Sequence, residues 1–264
     1  MRIVDLAPEH EGIYCQCLED WSDEIREAGG HKREWFERSK GQGLRVKLAL
    51  DDGGTVGGMI QYLPVEQSPA LGAGLYFILC VWVHGHKQGR GNFQKKGMGG
   101  ALLAAAEEDA RRLGARGMAA WGVVLPFWMR ASWFKKHGYR QADRLGMMAL
   151  VWKPFAADAA PPAWVRPKKR PQPEPGKVVV TGLLNGWCPA MSLVHERARR
   201  AAAELGPAVE FREIRTHERE AFLEWGMNDA LFIDGRELRS GPPPSYEKIR
   251  KKIARRLKKM NGKN

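Results

Sequence analysis

The stretch 75–113 constrains this chain more than any other. An uninterrupted apolar run, Leu75-Tyr76-Phe77-Ile78-Leu79-Cys80-Val81-Trp82-Val83, reads as a strand. A basic glycine-rich segment follows and ends in Gln94-Lys95-Lys96-Gly97-Met98-Gly99-Gly100, which opens directly into an alanine-rich helix over 101–113. A strand, a glycine-rich loop and a helix N-terminus in that order make an anion site. Unpaired backbone N–H groups and the positive end of the helix dipole point at one place. Glycine lets the backbone approach a phosphate closely, and Lys95 and Lys96 add charge.

Other phosphate loops fit less well. No Gly-Lys-Ser/Thr follows the glycines, as a Walker A loop requires. Gly97-Met98-Gly99-Gly100-Ala101-Leu102 lacks the last glycine of a dinucleotide-binding turn. Lys87-Gln88-Gly89-Arg90-Gly91 repeats a similar basic glycine pattern upstream, but only 94–100 abuts the helix. A glycine-rich connection that binds nothing is the bland alternative.

At 264 residues and 44% apolar, the chain can build two domains with cores of their own. No stretch approaches the ~18 uninterrupted apolar residues of a membrane span, and Met1-Arg2-Ile3-Val4-Asp5-Leu6 shows no signal core. Cys15, Cys17, Cys80 and Cys188 form neither a disulfide framework nor a zinc spacing, and no metal is expected. The expectation is a cytoplasmic protein. The net charge is +13, but nine cations and no acid lie in 248–264, leaving +4 for the rest. Charge confined to one terminal helix argues against specific nucleic-acid reading and for a solvated, non-specifically anion-attracting face.

Strand patterns fall at 2–6, 44–50, 55–65, 75–83, 117–124 and 147–152, with a hairpin turn at Asp51-Asp52-Gly53-Gly54. Helical stretches cover 8–40, 99–113 and 132–137, the last closed by Gly138. Seven prolines between 154 and 175, among basic residues, exclude a helix or central strand and read as an extended linker over 155–176. Beyond it, 177–184, 208–214, 229–233 and 236–238 read as strands, and 192–205, 217–225 and 245–259 as helices. Trp187-Cys188-Pro189 stands at the start of the first of these helices.

Gln-x-x-Gly-x-Gly after such a strand resembles the pyrophosphate loop of the GNAT (GCN5-related) N-acetyltransferases. The whole chain resembles their YoaP-like branch on Cys80-Val81-Trp82-Val83, Pro126-Phe127, Trp133-Phe134-Lys135-Lys136-His137-Gly138-Tyr139 and Trp187-Cys188-Pro189. The resemblance implies an α/β (α+β) protein in three parts. These are a GNAT acyltransferase fold with a central mixed sheet over 1–154, the proline-rich linker, and a thioredoxin-like domain over 177–264 ending in the basic helix. It implies acetyl-CoA as cosubstrate, a primary amine of a small molecule or peptide as acceptor, direct attack on the thioester, and a homodimer as a frequent assembly.

Carried onto this chain, backbone groups of Val81, Trp82 and Val83 would pair with the pantetheine arm and polarise the thioester carbonyl. Gln94, Lys95, Lys96, Gly97, Met98, Gly99 and Gly100 would hold the pyrophosphate. The family's usual proton donor, a tyrosine, falls on Phe134, which cannot exchange a proton. Cys80 on the strand and His84 and His86 beyond it are the nearest ionisable groups, with Glu66 farther off. Cys188 is the third catalytic candidate, because a helix N-terminus stabilises a thiolate. Met191 replaces the second cysteine of a Trp-Cys-x-x-Cys pair, so only single-thiol chemistry is open. No proline stands in Trp225-Gly226-Met227-Asn228, where thioredoxins carry one. Two alternatives to acetyl transfer therefore stand: a non-catalytic acyl-CoA-binding protein, or a thiol-handling protein acting through Cys188.

Overall fold

The computed structural model describes residues 1–125, 128–238 and 242–262; Pro126 and Phe127 of the family motif and Lys263 of the basic tail lie outside the described residues. The elements in chain order begin with β1 (Arg2–Asp5), α1 (Glu11–Cys15), α2 (Asp23–Glu27) and α3 (His31–Lys40). Strands β2 (Arg45–Leu50), β3 (Val56–Pro64), β4 (Ala70–Leu71) and β5 (Leu75–Val83) lead to α4 (Met98–Arg112). Then come β6 (Gly117–Val123), α5 (Ala131–Lys136), β7 (Arg140–Leu145), β8 (Met148–Pro154) and β9 (Ala163–Trp164). The remainder is β10 (Val178–Leu184), α6 (Pro189–Glu204), β11 (Val209–Arg215), α7 (Arg219–Trp225), β12 (Ala230–Ile233), β13 (Arg236–Glu237) and α8 (Tyr246–Asn261).

The chain divides into two compact units, Met1–Trp21 with Glu37–Arg166, and Ser22–Phe36 with Pro167–Asn264. In the first, one sheet runs β1-β2-β3-β5-β6-β8-β7. Every neighbouring pair is antiparallel except β5 and β6. A parallel pair needs a crossover, and α4 supplies it. The apolar face of α4, with Leu102, Leu103, Ala106 and Ala110, packs into a core with Ile60, Tyr62, Ile78, Met118, Phe134 and Tyr139. At the far end of that helix Asp109 is 5% exposed. It accepts from Tyr62 Oη at 2.6 Å and from Arg45 Nε and Nη2 at 2.8 and 3.0 Å. This buried network ties α4 to β2 and β3.

The observed order adds three strands to the sequence expectation, β4, β7 and β9. Arg140–Leu145 is a strand at the sheet edge. Its composition, RQADRL, carries no buried stripe, because an edge strand flanked by water needs none. The span expected to be all linker contains β9, which pairs with β4. Trp164, 5% exposed, anchors it with its ring 6.2 Å from that of Phe77.

The second unit has the sheet order β11-β10-β12-β13. Strands β10 and β11 are parallel, and β12 is antiparallel to both β10 and β13. Helix α6 packs close on β10: a Cβ added at Gly182 would lie 2.6 Å from His195 Nδ1. Ser22–Phe36, expected within the first domain, belongs to this unit. The reason is electrostatic. Arg197 on α6 is 7% exposed and must find carboxylates; Glu24 and Glu27 receive it at 2.8–3.0 Å. His31 Nε2 lies 2.8 Å from Glu196 beside them.

Candidate active site

The site is built where two parallel strands separate. β5 and β6 pair only over Leu75–Ile78 and Gly117–Ala120. β5 continues to Val83 against β3 alone. A one-residue bulge at Leu79, between the pairs Tyr62–Ile78 and Gln61–Cys80, turns the strand at that point. Beyond it, the edge of β5 that β6 has left carries the peptide groups of Leu79, Val81 and Val83. Their partners are side chains: Trp121 Nε1 donates to Leu79 O at 2.7 Å, Val81 N faces Met129 Sδ at 3.4 Å, and Gln94 Nε2 lies 3.4 Å from Val83 O. Thioether sulfur is a weak acceptor, so the Val81 N–H can exchange it for a better partner.

The glycine-rich loop 94–100 follows the end of this strand. Lys95 and Gly97 both take positive φ, +62° and +83°. Such alternation turns successive N–H groups into one concavity. Gly97 is the N-cap of α4, and no side chain caps the helix. The first-turn N–H groups therefore have no cap side chain to receive them, and a helix N-terminus of this kind suits an anion. A Cβ placed on Gly97 would meet nothing within 4 Å, so the space in front of the loop is open. The rival upstream glycine is filled: a Cβ on Gly89 would lie 2.0 Å from Trp21 Cδ1. Helix α5 borders the loop, with Trp133 Cζ2 and His137 Nε2 at 3.5 and 3.6 Å from Cβ positions built on Gly99 and Gly100.

The predicted side chains distribute unevenly around this frame. The end of β5 and the loop 94–100 meet at Val83, whose carbonyl lies 3.4 Å from Gln94 Nε2 and whose side chain is 3.9 Å from a Cβ built on Gly99; Met98 is buried beneath the loop, and Lys95 and Lys96 are exposed. Gln94 folds back over Gly85 and the end of β5. Cys80 is 4% exposed and lies on the core side, near the buried Tyr14 whose hydroxyl donates to Gln61. His84 is fully buried. Its Nδ1 lies 2.7 Å from Gly91 O, and its Nε2 3.1 Å from Trp21 Nε1. A carbonyl requires the Nδ1 proton and an indole donor requires a bare Nε2, so both ring nitrogens are committed. His84, offered by the sequence as a substitute for the missing tyrosine proton donor, instead pins the loop 84–93. Glu66 instead binds Gly74 N.

Sequence reasoning gave no role to Trp121, Trp128 or Met129, which border the gap. Trp121 and Met129 line its far side, and the Trp128 ring stacks edge-on against Trp121 at 5.3 Å. His86 is half exposed, its ring 5.5 Å from Trp21 and 6.4 Å from Trp82, with Nε2 3.7 Å from Glu19. Phe134 is fully buried, and the Tyr139 hydroxyl is raised well above its ordinary range by burial and by Glu107. Neither exchanges a proton near neutrality. Cys188 is in the second unit, 6% exposed, as N-cap of α6, and its carbonyl accepts from Met191 N and Ser192 N at 3.0 Å. The turn before it is held by Asp229, which accepts from Asn185 N at 3.0 Å. Desolvation pushes the Asp229 carboxyl up to about 7, against the pull of that N–H.

Comparison with known proteins gives one family. Residues 8–139 match the model of the Acetyltransferase (GNAT) family. No curated protein matches the chain in sequence. Among solved structures, a GNAT family acetyltransferase from Brucella melitensis in complex with acetyl-CoA is 20% identical, covering 61% of this chain and 91% of its own, with a TM-score of 0.41. The PaiA N-acetyltransferase from Thermoplasma acidophilum in complex with coenzyme A is 18% identical, covering 59% and 100%, with a TM-score of 0.43. A ribosomal-protein-alanine N-acetyltransferase from Brucella melitensis is 17% identical, covering 59% and 100%, with a TM-score of 0.42.

Proposed function

The chain belongs to the GNAT acetyltransferase family, and from that premise we propose that it moves an acetyl group from acetyl-CoA to a primary amine of a small molecule or peptide by direct attack. The observation that carries this reading is the open edge of β5 beside an uncapped helix N-terminus. Acetyl-CoA, the cosubstrate, supplies an activated thioester and a thiolate leaving group. The N–H groups of 96–100 would receive its pyrophosphate, with Lys95 and Lys96 adding charge. Val81 N–H would receive the thioester oxygen, exchanging a thioether contact for one that strengthens as charge grows on that oxygen.

His86 takes the proton of the attacking ammonium in this reading. It follows Val83 by three residues, stands half in solvent, and its Nε2 lies 3.7 Å from the Glu19 carboxylate. Glutamine at position 86 should then remove the acidic limb of the pH–kcat profile. Alanine at position 84 should leave that limb in place while lowering stability by about 2 kcal/mol, since two half-buried partners lose their bonds. A profile moved by the His84 variant and not by the His86 variant would reverse the two roles.

The second unit supports a thioredoxin-like, YoaP-like reading through its β-α-β-α-β-β-α order and the position of Cys188 at the first helix N-terminus. Burial of that cysteine favours a binding or structural domain over an exposed reactive thiol.

The test is calorimetric titration of the full chain with acetyl-CoA and CoA, followed by thiol release on a panel of primary amines. Micromolar binding with amine-dependent thiol release supports transfer. Binding with no turnover on any amine would leave a non-catalytic acyl-CoA binder, and no binding would remove the donor site.

A further inference from the structure

Helix α8 carries two faces with different fates. Ile249 and Ile253 are fully buried in the core of the second unit, with Tyr246, Leu257 and Met260 packed beside them. On the flanks of this face, Arg250 pairs with Glu204 and Arg256 with Asp234 at 3.5 and 2.7 Å. Opposite lie Lys248, Lys251, Lys252, Arg255, Lys258 and Lys259. All six are exposed, and none has an acidic partner among the described residues. At 100° per residue they fall within an arc of about 120°, and they extend along about 16 Å of helix axis. No acid interrupts the stripe.

Like charges three and four residues apart repel, so an all-basic stripe costs the isolated helix stability. An external polyanion relieves that cost. The apolar face is occupied by the unit's own core, so α8 cannot lie in a bilayer as an interfacial amphipathic helix does. A straight row of cations on a rigid helix matches a rod of evenly spaced phosphates. A duplex presents about one charge per 1.7 Å of its axis, more than the stripe can neutralise. We infer that the exposed face of α8 is a docking surface for the sugar-phosphate backbone of nucleic acid, bound without regard to base sequence.

Fluorescence anisotropy of the full chain with a labelled 20-bp DNA duplex, and with an RNA duplex of the same sequence, tests this between 50 and 200 mM salt. Four to six neutralised phosphates predict a log–log salt slope of about −4 to −5, hence a loss of roughly 10²–10³-fold over that range. A shuffled sequence should bind equally well. The triple variant Lys251→Glu, Arg255→Glu, Lys258→Glu should bind at least 100-fold more weakly at 50 mM. The neutral variant Lys251→Gln, Arg255→Gln, Lys258→Gln should flatten the slope by about 3. Melting curves and acetyl-CoA titration of both variants establish that they fold. The arms compare DNA with RNA, and equal affinity or a preference for either supports phosphate docking. A wild-type slope shallower than about −1, or folded variants that bind like wild type, would overturn it. So would phosphatidylserine vesicles that bind the wild type as tightly as the duplexes do, since the surface would then answer to any anionic plane.

Discussion

Glutamate at position 97 should weaken acetyl-CoA binding by at least 100-fold, about 2.7 kcal/mol, and abolish transfer in proportion. Gly97 sits at φ +83° at the mouth of α4, with open space in front of it. The substitution places a carboxylate where the helix dipole and the turn of N–H groups would meet the pyrophosphate, so attraction becomes repulsion. Alanine at the same position is the control. It carries the left-handed backbone strain of about 1 kcal/mol but no charge, and should retain affinity within roughly tenfold. The contrast between the two separates anion repulsion from backbone distortion. Calorimetry on the three proteins decides it, and a glutamate variant that binds within threefold of wild type would place the donor elsewhere.

Removal of the Asp109 carboxylate should be the most damaging single change to the first unit. Alanine there leaves Arg45 and the buried Tyr62 hydroxyl without their acceptor and should cost about 3 kcal/mol. The first unit's melting transition should then fall by roughly 6–12 °C. The effect depends on pH in a defined direction. Burial alone would raise this carboxyl, but hydrogen bonds from Arg45 and Tyr62 and the charge of Lys47 outweigh it and hold it below its ordinary value. A depressed carboxyl stabilises the fold above the ordinary carboxylate range of about 4, and that stabilisation is lost as pH falls through the folded value. The gap between wild type and variant should be constant from about pH 6 to 8 and shrink below about pH 4. A gap that widens on acidification would mean the network does not work through the ionised form.

Some parts of the site are legible in the sequence because they are local. The apolar run Leu75–Val83 is a strand over those same residues, and α4 begins within a residue of the expected place. Glycine at a helix mouth and two adjacent lysines carry their chemistry in the chain itself. Other parts depend on what lies across the fold. His84 and His86 are indistinguishable by type and spacing, yet one meets Trp21 and the Gly91 carbonyl inside the protein while the other stands at the surface. Gly89 and Gly97 likewise sit in similar basic motifs, and only the packing of Trp21 on the first separates them.

What the sequence by itself determined is therefore the glycine-rich loop, the strand before it, the helix after it, and the break near the prolines. Each follows from periodicity, backbone freedom or charge within a dozen residues. Only the tertiary structure decided that β6 leaves β5 after Ile78, so that the Val81 N–H faces a thioether. It also decided that 22–36 joins the second unit, where Arg197 requires its glutamates. Strand separation and ion pairing across more than a hundred residues are set by which surfaces meet, and no local pattern encodes that meeting.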